Sequence, residues 1–148
     1  MSASWSQELK LNHAELDRDH ADLFRLVEAA AARAETGTRP EVEAAVQAFC
    51  DVLLAHLSSE DAVMDDTLYP ERGRHKLAHE LFTRDVMQLR EELREKGPTP
   101  VIVEWLRTRV PEWLRFHILA NDLPLATHLA GRALPSKPAR RGAVRRYS

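Results

Sequence analysis

The stretch VEAAVQAFCDVLLAHLSSEDAV, residues 42–63, decides the fold of this chain. Its apolar residues recur in alternating steps of three and four, which places them on one stripe of an α-helix. Two polar residues, His56 and Glu60, continue that stripe where an apolar side chain would be expected. Because the apolar stripe of an amphipathic helix faces the core, the pattern predicts that both side chains point into the protein.

Three other segments carry a similar apolar stripe, and each of them also contains histidine. The histidines in these stripes are His20 in the first segment, His75 and His79 in the third, and His117 in the fourth. Burying one such polar side chain without a partner costs about 1–3 kcal/mol. Several of them converging from four helices therefore need a common partner, and a metal centre provides one.

Prolines and glycines divide the chain into four helical segments. The breaks fall at residues 37–40, 69–73 and 97–100, and Pro40 stands where a helix can begin. The connections are short and no alternating strand pattern is present. We therefore expect an all-α fold, an up-down-up-down four-helix bundle.

We expect this bundle to occupy residues 1–134 as one domain. Residues 1–15 would form an N-terminal arm that Trp5 packs against the bundle. Pro111 falls inside the fourth helix, where proline removes one backbone hydrogen bond. Because the apolar stripe continues across it, we predict one bent helix there rather than two.

The last residues, 135–148, differ from the rest because they contain five basic residues and no acidic one. Local charge with few apolar residues predicts a disordered, flexible tail. A solvated extension is the simplest interpretation. Binding to nucleic acid or anionic lipid, or folding back onto the acidic remainder of the chain, stays open, although we do not expect nucleic acid to be the partner.

The composition limits the class of protein. The chain has 148 residues, 44% hydrophobic and 30% charged, with a formal net charge of −2, as in an ordinary soluble domain. No stretch approaches the roughly 20 apolar residues of a membrane helix, and the N-terminus lacks the features of a secretory signal. The single cysteine, Cys50, excludes an internal disulfide and is expected to be a buried, inert thiol. We expect a cytoplasmic protein.

The chemistry of the candidate ligands favours two metal ions. Histidine with a few carboxylates suits Fe, Zn, Mn or Ni and disfavours Ca and Mg. Seven ligands exceed what one four-coordinate zinc needs. Two ions that share Glu60 and Asp122 as bridges would use all seven and, with a solvent-derived third bridge, leave one octahedral position vacant for a small molecule. The predicted ligands are His20, His56, Glu60, His75, His79, His117 and Asp122.

The position of Asp122 needs a local explanation, because it follows His117 by five residues. On an ideal helix this spacing is about 140° around the axis, which is not the same face. Either Asp122 lies at a frayed helix end or a π-helical turn brings it back. We predict a π turn between Ile118 and Asp122, since such turns are frequent at functional sites. His13 and His128 lack a comparable setting and are expected to be ordinary hydrogen-bonded histidines.

Five motifs together resemble the hemerythrin family, specifically its bacterial single-domain type, over about residues 5–130. The motifs are DRDH at 17–20, HLSSE at 56–60, YP at 69–70, HKLAH at 75–79 and WLRFHILAND at 113–122. The resemblance implies a four-helix bundle with a non-haem di-iron centre that binds O2 reversibly. Pro111 departs from the family pattern.

The resemblance also implies a role for each ligand. His75, His79 and His117 would hold one iron, and His20 and His56 would hold the other, which keeps the open position. Glu60 and Asp122 would bridge the two Fe ions beside an oxo or hydroxo group. The apolar O2 pocket of the family corresponds to Leu23, Phe24, Leu57, Trp113, Leu114, Ile118 and Leu119.

Other functions of such a centre remain open. Di-iron oxidases, peroxidases and NO-handling enzymes are alternatives, but O2-activating bundles carry Glu-x-x-His motifs, and this chain has none at a ligand position. Five neutral imidazoles also supply little negative charge to stabilise high-valent iron. We therefore expect an O2 carrier, store or sensor rather than an enzyme. A sensor acting through a protein partner, or a site for Zn, Mn or a mixed pair, is a further alternative.

Overall fold

The computed structural model describes residues 5–132 of the chain. Residues 1–4 and the predicted tail, 135–148, lie outside the described residues. Within the described part there is no β-strand, and the all-α bundle predicted from the sequence is confirmed. Three of its four helices are α1 (Ala14–Thr36), α2 (Arg39–Asp66) and α3 (Arg72–Lys96).

The fourth helix is built from alternating α-helical and π-helical segments. The α-helical segments are α4 (Pro100–Glu104), α5 (Val110–His117) and α6 (Leu123–Arg132), and the π turns between them are Trp105–Arg109 and Ile118–Asp122. The residues at every junction keep right-handed helical dihedral angles. The five segments therefore form one continuous helix, here called the fourth helix, residues 100–132.

Capping residues stabilise the start of α2 and the end of α3. At the start of α2 the Thr38 hydroxyl accepts from the Glu41 N–H at 3.3 Å, and the Glu41 carboxylate accepts from the Thr38 N–H at 2.9 Å. This capping box satisfies two backbone donors that the helix leaves free. Gly97 ends α3 with φ +80°, a conformation that glycine adopts without steric cost. Gly73, which the sequence placed in the second break, lies inside the first turn of α3.

The N-terminal arm packs tightly against the bundle. Trp5 contacts the main core, as predicted, but Leu9 and Leu11 are more deeply buried. The Leu11 N–H donates to the Asp17 carboxylate at 2.8 Å. Helix α1 then begins at Ala14, where the His13 ring nitrogen accepts from the Leu16 N–H. His13 is therefore a helix cap.

Pro111 is accommodated by the first π turn, which the sequence analysis did not predict. In a regular α-helix the proline ring would collide with the carbonyl group four residues earlier, that of Arg107. Here the Val110 N–H donates to the Trp105 carbonyl, five residues back, so the turn before Pro111 is wider. The wider turn also affects which side chain is inward at the start of the fourth helix: Ile102 is buried, whereas Val103 is only half-buried.

The remaining features of the core agree with the sequence. Cys50 is a buried free thiol, and burial raises its pKa. A small second cluster of Met64, Tyr69 and Leu125 closes the bundle where α2 ends. Beside it, His128 lies 3.2 Å from the Thr67 carbonyl oxygen, so it is a hydrogen-bonded histidine as expected. Among the described helices, none has the length and apolar character required to cross a membrane.

Candidate metal centre

All seven predicted ligands lie together in the interior, and no one of them exposes more than 5% of its surface. Each of the four helices contributes: His20 comes from α1, His56 and Glu60 from α2, His75 and His79 from α3, and His117 and Asp122 from the fourth helix. The five histidines and Glu60 stand in the apolar stripe of their helices, which is why the sequence could place them.

The ligand atoms form two groups that share both carboxylates. One group contains Glu60, His75, His79, His117 and Asp122, and the other contains His20, His56, Glu60 and Asp122. Within each group the candidate ligand atoms lie within 4.8 Å of one another. The division into three and two histidines is the one that the resemblance implied.

The larger group is built around one oxygen of each carboxylate. Glu60 Oε1 lies 3.3 Å from His75 Nε2 and 3.1 Å from His79 Nε2. Asp122 Oδ1 lies 3.1 Å from His75 Nε2 and 3.3 Å from His117 Nε2. His117 Nε2 is also 3.2 Å from the Nε2 atom of each of the other two histidines.

The smaller group is built around the other oxygen of each carboxylate. Glu60 Oε2 lies 3.0 Å from His56 Nε2, and Asp122 Oδ2 lies 2.9 Å from His20 Nε2. Each carboxylate thus directs one oxygen atom into each group. This is the arrangement of a carboxylate that bridges two cations.

The distances fit metal coordination better than hydrogen bonding. With metal–ligand bonds of about 2.1 Å, neighbouring ligands of an octahedral ion lie about 3.0 Å apart. Several buried atoms are close to another polar atom without hydrogen-bond geometry: His20 Nε2, both oxygens of Glu60 and Asp122 Oδ1 have no hydrogen-bond partner among the described residues. Buried polar atoms are normally paired. Cations bound between these atoms would provide the missing partners. The residues present therefore fit a two-metal centre.

The pKa values show how the cluster behaves without metal. Burial alone would lower the pKa of His56, but the charge of Glu60 and the hydrogen bond to Asp19 together outweigh it and raise the value to about 10. In the same way the nearby carboxylates of Asp122 and Glu60 raise the pKa of His75 to about 9 against the effect of burial. The pKa values of Glu60 and Asp122 are lowered despite burial, because imidazolium groups face them. Protons on the imidazoles therefore balance the buried carboxylates when metal is absent.

The second π turn places Asp122 in the site. The Leu123 N–H donates to the Ile118 carbonyl, five residues back, so the π turn predicted between Ile118 and Asp122 is confirmed. The extra residue brings Asp122 to the same side of the helix as His117.

Several residues that contact the ligands were not predicted from the sequence. His56 Nδ1 lies 2.9 Å from an Asp19 carboxylate oxygen, and His79 Nδ1 lies 2.8 Å from an Asp61 oxygen. Both acids are next to a ligand in the chain, but they lie at the edge of the apolar stripe, where acidic residues are common on any helix. Their role is therefore visible only in three dimensions.

His117 has a different setting. Its imidazole stacks on the Trp113 indole at 4.5 Å and 11°, and Trp113 in turn stacks on Phe82. The Asn121 amide nitrogen lies 3.3 Å from His117 Nδ1, and the amide oxygen accepts from Arg74 at 3.3 Å. The Trp113–Phe82 stack and the Asn121 amide therefore fix the orientation of this histidine.

The predicted pocket residues differ in their exposure to solvent. Most of them are buried, with 5% exposure or less: Leu23, Phe24, Leu57, Leu114 and Ile118. Trp113 is half-buried. Leu119 is exposed over 40% of its surface, so it does not form part of a water-free interior wall. The second π turn carries Leu119 outward while it brings Asp122 inward.

Comparison with known families matches this geometry. A family model described as the hemerythrin HHE cation binding domain matches residues 11–129, a range that includes all seven cluster residues. The chain belongs to the hemerythrin family. Cation binding is therefore the property that the family description and the arrangement of the buried cluster share.

Two bacterial proteins illustrate this membership. The chain is 25% identical over 118 residues to a bacteriohemerythrin of Stenotrophomonas maltophilia (strain R551-3), which covers 80% of this chain and 75% of that protein. It is 28% identical over 130 residues to a bacteriohemerythrin of Ralstonia nicotianae (strain ATCC BAA-1114 / GMI1000), which covers 86% of this chain and 89% of that protein. This hemerythrin is thus similar to the bacterial type.

Proposed function

We propose that this hemerythrin binds O2 reversibly at two non-haem iron ions held in the buried cluster, and serves as an O2 carrier, store or sensor. One observation carries the proposal: the two ligand groups share Glu60 and Asp122 but differ in size, with three histidines in one and two in the other. The ion in the smaller group has one protein ligand fewer. Iron in this centre would supply the electrons for reversible O2 binding at the vacant position.

The protein's part is to keep the neighbourhood of the vacant position dry. Leu23 and Phe24 follow His20 on α1 by three and four residues, Leu114 precedes His117 by three on the fourth helix, and all three side chains are buried. Excluding water and outside protons protects a reactive oxygen adduct from side reactions. Five imidazoles against two shared carboxylates also favour reversible binding over oxidation of a substrate. The chief alternative is a di-iron enzyme, an oxidase, peroxidase or NO-handling protein.

A spectroscopic cycle tests the proposal. The iron-loaded protein is reduced without air, exposed to O2, and then returned to an O2-free atmosphere while its visible spectrum is recorded. We expect two iron ions per chain and an absorption band that appears with O2 and disappears with its removal. Irreversible bleaching, or rapid turnover of peroxide or of an added reductant, would instead establish the enzyme alternative.

The proposed setting is the cytoplasm, where the buried thiol of Cys50 is stable in reduced form. O2 is the proposed ligand. A chain that binds zinc or manganese but cannot retain iron in the metal analysis would overturn the iron assignment while leaving the two-metal site in place.

A further inference from the structure

Two half-exposed carboxylates reach from the surface to the outer nitrogens of ligand histidines, one in each ligand group. We propose that Asp19 and Asp61 are positioning residues, which hold His56 and His79 in the tautomer and ring orientation that a metal ion requires. The inference rests on the two-metal centre proposed above. It assigns a role to two residues that the ligand set does not include.

The direction of the imidazole rings sets the requirement. All five histidines of the cluster turn Nε2 toward the carboxylates, as the distances of 2.9–3.3 Å show. A neutral imidazole binds a cation through the nitrogen that carries no proton, so Nδ1 must carry the proton. An ionised carboxylate only accepts hydrogen bonds. Asp19 and Asp61 therefore select the Nδ1–H form of His56 and His79, at 2.9 Å and 2.8 Å.

The other three histidines do not have this kind of partner. His117 Nδ1 faces the side-chain amide nitrogen of Asn121 at 3.3 Å rather than a carboxylate. His20 Nδ1 and His75 Nδ1 are buried without a hydrogen-bond partner among the described residues. Each ligand group therefore has one histidine held by a carboxylate, so the two acids act on separate halves of the centre.

The two acids also tie the helices together around the site. Asp19 lies on α1 and reaches His56 on α2, while Asp61 lies on α2 and reaches His79 on α3. Their side chains are 39% and 38% exposed, so water can still solvate part of each carboxylate. An open surface groove lined by Asp61, His79 and Glu80 brings solvent to the second pair. Each carboxylate therefore contacts water on one side and a buried ring on the other.

Asparagine is the discriminating substitution because it keeps the size of aspartate. Its amide can present either an acceptor oxygen or a donor NH2 group, so it no longer favours the Nδ1–H form. Outer-shell partners of metal-binding histidines typically contribute about 10–100-fold in metal affinity. We expect Asp19→Asn and Asp61→Asn each to release one iron ion at least about 10-fold faster to a chelator, with the second ion released at the unaltered rate.

The matched controls are Asp22→Asn on α1 and Asp65→Asn on α2. Asp22 pairs with Arg25 and Asp65 with Lys76 on the surface, and neither pairs with a histidine of the cluster. Both controls are expected to release iron at the unaltered rate. If Asp19→Asn and Asp61→Asn retain iron as well as these controls do, the positioning role is wrong.

Histidine-ring NMR of the zinc-loaded full chain separates positioning from general destabilisation. We expect Asp19→Asn to move the Nδ1–H resonance of His56 alone and Asp61→Asn to move that of His79 alone, because only those rings lose a charged acceptor. A uniform change at all five rings would mean that the acids merely stabilise the fold, and would overturn the inference. An unaltered chain that binds fewer than two metal ions would contradict the proposed function instead.

Discussion

Leu114 and Leu119 stand five residues apart on the fourth helix, yet their surroundings differ completely. Leu114 exposes 3% of its surface, whereas Leu119 exposes 40%. Both are apolar and both belong to the stretch that resembles the hemerythrin family, so the residue type alone does not distinguish them. Only the buried one can exclude water from the proposed O2 position.

This difference yields a prediction about the oxygenated protein. Leu114→Asn places an amide in the apolar wall and is expected to shorten the lifetime of the O2-bound form severalfold, because the amide can hold water near the vacancy. Leu119→Asn is the matched control and should leave the lifetime unchanged. The decay of the visible band after O2 binding measures both. Equal lifetimes in the two variants would show that Leu114 does not line the O2 pocket.

At the same scale, the sequence predicted the buried cluster of histidines and carboxylates but not the residues that contact it. His20 and Glu60 were predictable because a polar side chain in an apolar stripe is costly without a partner. Asp19 and Asp61 were not, since an acid beside the stripe is what any solvated helix face contains. Asn121 was not predicted for a different reason. It lies within the second π turn, and its burial depends on that turn.

The spacing of buried residues in the fourth helix differs from the alternating steps of three and four that were used to predict the helices. One set of buried residues in the fourth helix is spaced by four throughout: Ile102, Leu106, Val110, Leu114, Ile118, Asp122 and Ala126. In a regular α-helix each step of four turns about 40° beyond a full circle, so six steps drift about 240°. Each π turn holds one additional residue and recovers about 100°. The unbroken spacing of four therefore indicated two π turns, of which only the second was predicted.

The same geometry predicts how the helix responds to a change of length. Deleting Ala120 should close the second π turn into an α turn, leaving Asp122 four positions after His117 and still on the same face. We expect this variant to bind two metal ions. Inserting one alanine after Ala120 should turn Asp122 away by about 100° and abolish two-metal binding. Metal analysis of the purified variants measures both, and loss of metal on deletion would contradict the account of the turn.

At the scale of the whole molecule, metal and protons compete for the same interior. The four helices enclose the seven predicted ligands, and in the metal-free state the pKa values of His56 and His75 are raised from a usual value of 6.5 to about 10 and about 9. A group with a raised folded-state pKa stabilises the fold below its usual value, and this contribution is lost as the pH rises through the raised one. Metal binding needs the opposite form, the unprotonated ring.

The competition predicts opposite pH dependences for the two states. From pH 6.5 to about 10 the metal-free chain should lose at least about 1 kcal/mol of unfolding free energy for each of His56 and His75, because their pKa values are raised. The metal-loaded chain should instead be least stable toward acid, where protons displace the ions. Urea unfolding at several pH values, with and without a chelator, measures both. If the unfolding free energy depends on pH in the same way in both states, protons do not replace the metal ions in the metal-free protein.

The bundle itself followed from the sequence because breaks, caps and stripes agreed with one another. Pro40 in the first turn of α2 and Gly97 at the end of α3 lie where such residues are expected. The packing of the arm was less accessible: Leu9 and Leu11 are too few to form a periodic pattern, and their burial depends on the chain folding back over the helices. Long-range contacts of short segments leave no local signal.

The stack of Trp113 on His117 makes the protein its own optical reporter. An indole lying flat against a metal-binding ring should lose fluorescence as iron fills the cluster, because a paramagnetic ion nearby quenches the excited state. Trp5 in the arm and Trp105 in the first π turn would supply a background, since neither stacks on a ligand among the described residues. Replacing Trp113 with Phe should abolish most of the dimming, so that metal occupancy could be followed in the native chain without any attached dye.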